Sequence, residues 1–215
     1  MKKFCGFQSI SGRVALASVL IFAFTFVSFG QTSGQPSTSS NADAIKEFEV
    51  NGLKVIVKRR TNAPTVAAGL FIRGGVRNVT PETAGLEDIT LAVSVEASKK
   101  FPREALRGEL TRMASSLGAG AGRDYSGISF ISTRPNFDRT WDIFADAVMN
   151  PAFTAADFQL VKDRQLLGLK NVTASPDNAL TVLEDQVIYA KHPYAIEPSG
   201  SVATVEKLTL ANLKA

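Results

Sequence analysis

Asn51-Gly52 stands between Phe48 and Val50 on one side and Leu53, Val55 and Val57 on the other. Apolar residues at every second position, on both sides of a dipeptide that accepts positive φ twice, specify a two-stranded hairpin closed by a type I′ turn. The alternation resumes in TVAAGLFIR, where Val66, Ala68, Leu70 and Ile72 share one face and Gly74-Gly75 ends the strand.

Beyond Gly75 the period changes to that of a helix. Thr80-Pro81 reads as a cap and first-turn proline for a helix running to about Lys99. Leu86, Ile89, Val93 and Ala97 fall at helical spacing, and Leu91, Ala92 and Val95 make most of the remaining circumference apolar. Such a helix is expected to be buried on nearly all sides. Pro102 starts a second helix with Leu106, Leu110, Met113 and Leu117 on one face, and Gly118 to Gly122 read as the turn that ends it. DYSGISFIST follows as a strand with Ile128 and Phe130 on one face. Helical segments over Phe137 to Met149, Thr154 to Asn171 with a Thr154 and Asp157 capping pair, and Asp177 to Ala190 close the chain. Strands first and helices after make this an α+β chain, an antiparallel sheet packed against helices.

The 215 residues, 45% of them hydrophobic, suffice for one domain with a real core. Residues 1–30 read as a secretory signal: Lys2, Lys3 and Arg13, then the apolar run Val14 to Phe29, then small residues at Ser28 and Gly30. The alternative is an uncleaved anchor over residues 14–30, since the run is just short of the ~20 residues of a spanning helix. Either way the chain is exported, to the periplasm or the extracellular space, and meets a membrane only through its leader. Residues 31–44 form a polar linker and residues 45–215 the folded domain. Loss of the leader removes three positive charges and no acid, so the net charge falls from +4 to +1 and no nucleic-acid footprint remains. Cys5 lies in the leader, which leaves no thiol chemistry in the mature chain.

His192 is the only histidine, so two-histidine sites are excluded. Its setting, AKHPYAIEPSG, is a loop after a helix and favours a surface or capping role. The GAGAG stretch lacks the Gly-Lys-[Ser/Thr] of a phosphate loop. Glu87 and Asp88 are adjacent, hence about 100° apart on a helix, and cannot act on one substrate atom together. Near a helix N-terminus their charge is favourable.

The order of these segments resembles the pitrilysin and insulinase type zinc peptidases, a family that includes the mitochondrial processing peptidase. The resemblance runs from EFEVNGLKVIVKRR and VAAGLFIRGG through PETAGLEDI, SLGAGAG and YSGISF to WDIFADAVMNPAFTAADFQLVKDR and VIYAKHPYAIEPSGSVATVEKLTLANL. Active members carry H-x-x-E-H on a helix that begins Gly-Leu, two histidines holding zinc and the glutamate activating water. Laid on Gly85-Leu86, the histidines fall on Asp88 and Ala92 and the glutamate on Leu91. The third ligand, a later glutamate, falls around Leu169. The resemblance therefore implies no metal in this chain and no catalytic residue, with zinc expected in a partner, a catalytic subunit of the same family. It further implies a chain that holds a peptide or unfolded protein as an added β-strand along Tyr125, Ser126, Gly127, Ile128 and Ser129, with Gly118 and Gly120 at the rim. Because the family joins two related domains, the chain is expected to be the first part of a longer one. The alternative from another class is an extracytoplasmic peptide-binding or assembly module unrelated to proteolysis.

Overall fold

A computed structural model describes residues 45–214, so the leader and the linker lie outside the described residues. The chain divides into two compact units at Arg59 and Arg60.

In the first unit, β1 (Ile45–Val50) pairs antiparallel with β2 (Leu53–Lys58), with Val50 opposite Leu53. Asn51 at φ 50° and Gly52 at φ 83° close the hairpin. These are the two positive values that a type I′ turn requires, and the Asn-Gly dipeptide supplies them with little strain.

The second unit is a sheet layered on helices. Its strands are β3 (Thr65–Arg73), β4 (Ser116–Ala121) and β5 (Tyr125–Thr133), all antiparallel, in the order β3-β5-β4. Its helices are α1 (Leu86–Ser94), α2 (Arg103–Arg112), α3 (Phe137–Met149), α4 (Ala155–Ala174), α5 (Pro176–Ile188), α6 (Val202–Val205) and α7 (Leu210–Lys214). Ser126, Ile128, Phe130 and Ser132 point from β5 into the helix layer, as strand alternation requires. Leu91 of α1 and Phe144 of α3 pack on Ile128 and Phe130 to form the sheet-facing core. Behind α1 a second core joins Ile89 and Val93 to Phe158 and Val161 of α4 and to Val205 and Leu208. No residue of α1 is fully exposed, because it is clasped between the sheet and α4. Among the described residues no helix is long and apolar enough to cross a membrane.

Several local readings hold. Thr154 caps α4 by accepting the Asp157 N–H at 3.0 Å. The His192 Nδ1 accepts the Tyr194 N–H at 3.2 Å and caps a short 3-10 turn, Pro193–Ala195. Both acidic residues of the pair Glu87 and Asp88 sit in the first turn of α1.

Three others are corrected. The glycine-rich segment is strand β4, not the end of α2, which stops at Arg112 where Ala114 turns to φ 49°. Its glycines depress strand propensity. Pairing with β5 overrides that, Gly118 lying opposite Ser129 and Gly120 opposite Gly127. Thr80-Pro81 does not cap α1: Thr80 and Thr83 bond each other in a separate turn, and Gly85 at φ 90° leads into the helix. The helix also ends at Ser94, since residues 97–99 bond Asn150 and Ala152 instead.

Candidate functional site

Asp88 and Ala92 lie one turn apart on α1, and Glu96 follows a turn later beyond the helix end, so all three face one way. Opposite them α4 presents Val161, Arg164, Gln165, Gly168, Leu169 and Val172, a stripe at helical spacing. With Ser199 these residues enclose a cleft of about 440 Å³. Ala92 and Leu169 form part of its floor by packing on the core of Ile89, Val93, Phe158 and Val161.

One end is set by Asp88. Its Oδ1 accepts the Ala121 backbone N–H at 2.9 Å, which ties α1 to the last residue of β4. The Gln165 side chain lines the cleft beside the same carboxylate, and its Nε2 donates to the Ser199 carbonyl at 2.6 Å. Burial pushes the Asp88 carboxyl above the usual aspartate range; the Ala121 N–H and the Gln165 side chain oppose the shift and the Glu87 charge adds to it.

The other end is set by Glu96, which is buried. Its Oε1 accepts from Arg164 Nη1 and its Oε2 from Arg107 Nη2, each at 2.6 Å. The Arg103 Nε lies 3.8 Å from Oε2, while the Arg103 Nη2 grips Asp157. A buried carboxylate must be paired, and guanidinium groups from α2 and α4 do so here.

Asp88, Ala92 and Leu169, the positions at which the resemblance places three metal ligands, therefore line one cleft. Leu91, at the position of the water-activating glutamate, is instead buried in the sheet-facing core. The donor set does not suit zinc. Ala92 and Leu169 carry no donor atom, one oxygen of Asp88 is occupied by an N–H, and Glu96 is enclosed by arginine. Among the described residues no three His, Cys, Asp or Glu side chains could hold a metal ion together.

The strand read as a free edge is not one. β5 is the centre of its sheet, paired with β3 on one side from Tyr125 onward and with β4 on the other from Ser126 onward, so its main chain from Ser126 to Ser129 has no side left to pair with a peptide. Ser126 and Ile128 face the core, while Tyr125 and Ser129 face outward. The edge beside the cleft belongs to β4, the strand of Gly118 and Gly120. An antiparallel strand directs the N–H and C=O of alternate residues to opposite sides. Ala121 donates to Asp88, away from β5, so Leu117 and Ala119 also direct their main-chain groups outward. A Cβ on Gly120 would lie 3.7 Å from the Asp88 Oδ1, which sets edge and cleft side by side.

Sequence reasoning missed Glu96, Arg164, Gln165, Gly168 and Ser199. Arg164, Gln165 and Gly168 share only the helical stripe on α4, while Glu96 and Ser199 lie outside that helix and the arginines bonded to Glu96 stand 11 and 68 residues away in the chain.

Solved structures share the fold at low identity. A peptidase M16 inactive domain from Pseudomonas fluorescens superposes with a TM-score of 0.70 at 22% identity, over 79% of this chain and 42% of that one. A protease from Helicobacter pylori gives 0.70 at 18% identity, over 79% and 41%. A conserved protein from Enterococcus faecalis gives 0.68 at 16% identity, over 79% and 44%. The chain thus spans less than half the length of each of these structures. No curated protein matches it. The family profile for insulinase, peptidase family M16, matches residues 54–197, well over half of the sequence, and the chain belongs to that family.

Proposed function

We propose that this chain is a non-catalytic member of the insulinase family that holds an extended peptide or unfolded segment for a zinc-bearing catalytic subunit of the same family. The observation that carries the reading is the cleft itself. Asp88, Ala92 and Leu169 converge as a metal site would require, yet offer carboxylate, methyl and isobutyl groups in place of ligands. The outward main chain of Leu117 and Ala119 beside that cleft suits a peptide added as a strand, because main-chain pairing asks for no particular side chain. The leader, read as an export signal, assigns the work to the periplasm or the extracellular space.

The test is a set of peptide-cleavage assays on the purified chain alone, on a partner carrying H-x-x-E-H from the same host, and on the two mixed. The reading expects no chelator-sensitive cleavage from the chain alone and a gain when the partner is added. Chelator-sensitive cleavage by the chain alone would overturn it. Peptide binding with no copurifying metallopeptidase would favour the module unrelated to proteolysis.

A further inference from the structure

Asp88 is a partly desolvated carboxylate with no countercharge among the described residues. The one neighbouring charge that acts on it is Glu87, of the same sign. Its hydrogen-bond donor is a backbone amide, that of Ala121, which carries no net charge. The arginines nearby are committed elsewhere, Arg164 and Arg107 to Glu96 and Arg103 to Asp157. A carboxylate taken from water without a positive partner gains from any cation that reaches it.

Only one kind of cation suits the space beside it. From Asp88 the cleft of about 440 Å³ runs between the apolar side chains of Ala92, Val161, Leu169 and Val172. Gly168 leaves room on the α4 side, since a Cβ built there meets nothing within 4 Å. The far end carries the opposite sign, because Arg164 lines it with its side chain about half exposed.

We propose that the cleft binds a small aliphatic monoamine, with its ammonium on the Asp88 carboxylate and its alkyl chain along Ala92, Val161, Leu169 and Val172. The site goes beyond the peptide-holding reading and does not rest on it. Ala92 lies one helical turn from Asp88, about 6 Å along the axis, a distance that hexylamine spans. An acid of the same length would meet Asp88 with like charge. An alcohol would fill the apolar path and leave the carboxylate without a countercharge. Methylamine would supply the charge and bury almost no apolar surface. A diamine would bring its second ammonium towards Arg164.

The probes are hexylamine, hexanol, hexanoate, methylamine and hexamethylenediamine, each titrated into the isotope-labelled whole chain at about pH 8, where aspartate is ionised. The readout is the amide resonance of Ala121, whose N–H donates to Asp88. Hexylamine is expected to shift that resonance saturably and to bind at least about tenfold more tightly than hexanol, hexanoate or methylamine, and no more weakly than the diamine. Asp88→Asn keeps an oxygen for the Ala121 N–H, and it should weaken hexylamine at least about tenfold while leaving hexanol unchanged. Gly168→Leu, which extends into the cleft, should weaken hexylamine severalfold. No saturable shift with hexylamine would overturn the site. Equal binding of hexylamine and hexanol, or undiminished hexylamine binding by folded Asp88→Asn, would do the same. Tighter binding of the diamine would also overturn it, by reducing the effect to a general attraction for cations.

Discussion

The Asp88 carboxylate accepts the backbone N–H of Ala121 at 2.9 Å, so the first turn of α1 is bound to the final residue of β4. Burial raises the Asp88 pKa, which means the folded state prefers the protonated form. The folded state then binds more protons than the unfolded one between the ordinary and the raised value, and stability falls as pH rises through that window. Asp88→Asn keeps an oxygen for the Ala121 N–H and removes the charge. Its melting temperature should exceed that of the parent near pH 7, and the difference should shrink on acidification towards about pH 4. A constant difference across thermal melts at stepped pH would contradict this.

Glu96 is the counterpart at the far end of the cleft. Glu96→Ala leaves Arg103, Arg107 and Arg164 crowded without their carboxylate. Arg107 and Arg164 are about half exposed, so water relieves part of the cost. A loss of about 1–3 kcal/mol in urea unfolding is expected, with Glu96→Gln intermediate.

Glycines fall into two groups that should respond oppositely. At Gly85, φ is 90° and a Cβ would sit 2.8 Å from the Ser199 carbonyl oxygen. Gly85→Ala should cost more than about 1 kcal/mol and loosen the start of α1 from the loop at Ser199. Gly108 in α2 has open space around it, and Gly108→Ala should add about 0.5–1 kcal/mol. Chemical denaturation of the two variants tests the opposite signs.

Proline separates edge from centre. At Ser129 it interrupts the central strand, so Ser129→Pro should destabilise the sheet by roughly 3 kcal/mol whether or not peptide is present. The Ala119 N–H points away from β5, so Ala119→Pro should fold yet weaken peptide capture severalfold. Paired melting curves and anisotropy titrations distinguish the two effects. Normal capture by a folded Ala119→Pro variant would remove β4 as the peptide edge.

Where neighbours in sequence set the conformation, the amino acids alone were sufficient. Asn51-Gly52 makes the hairpin, Thr154 caps α4, His192 caps its own loop, and the Val66 to Ile72 alternation is strand β3, because each depends on contacts within a few residues. The lack of donor atoms at Ala92 and Leu169 is likewise a property of the sequence alone, since side chains without lone pairs bind no metal in any fold. Three features waited for the tertiary structure. The Gly118 to Ala121 segment has weak preferences of its own and becomes a strand only because β5 lies beside it. The central place of β5 is a matter of sheet order, which alternation within one strand does not encode. The Glu96 cluster and the cleft arise where α1, α2 and α4 cross, and a pairing between residues 96 and 164 is decided by packing of distant helices, which no local propensity records.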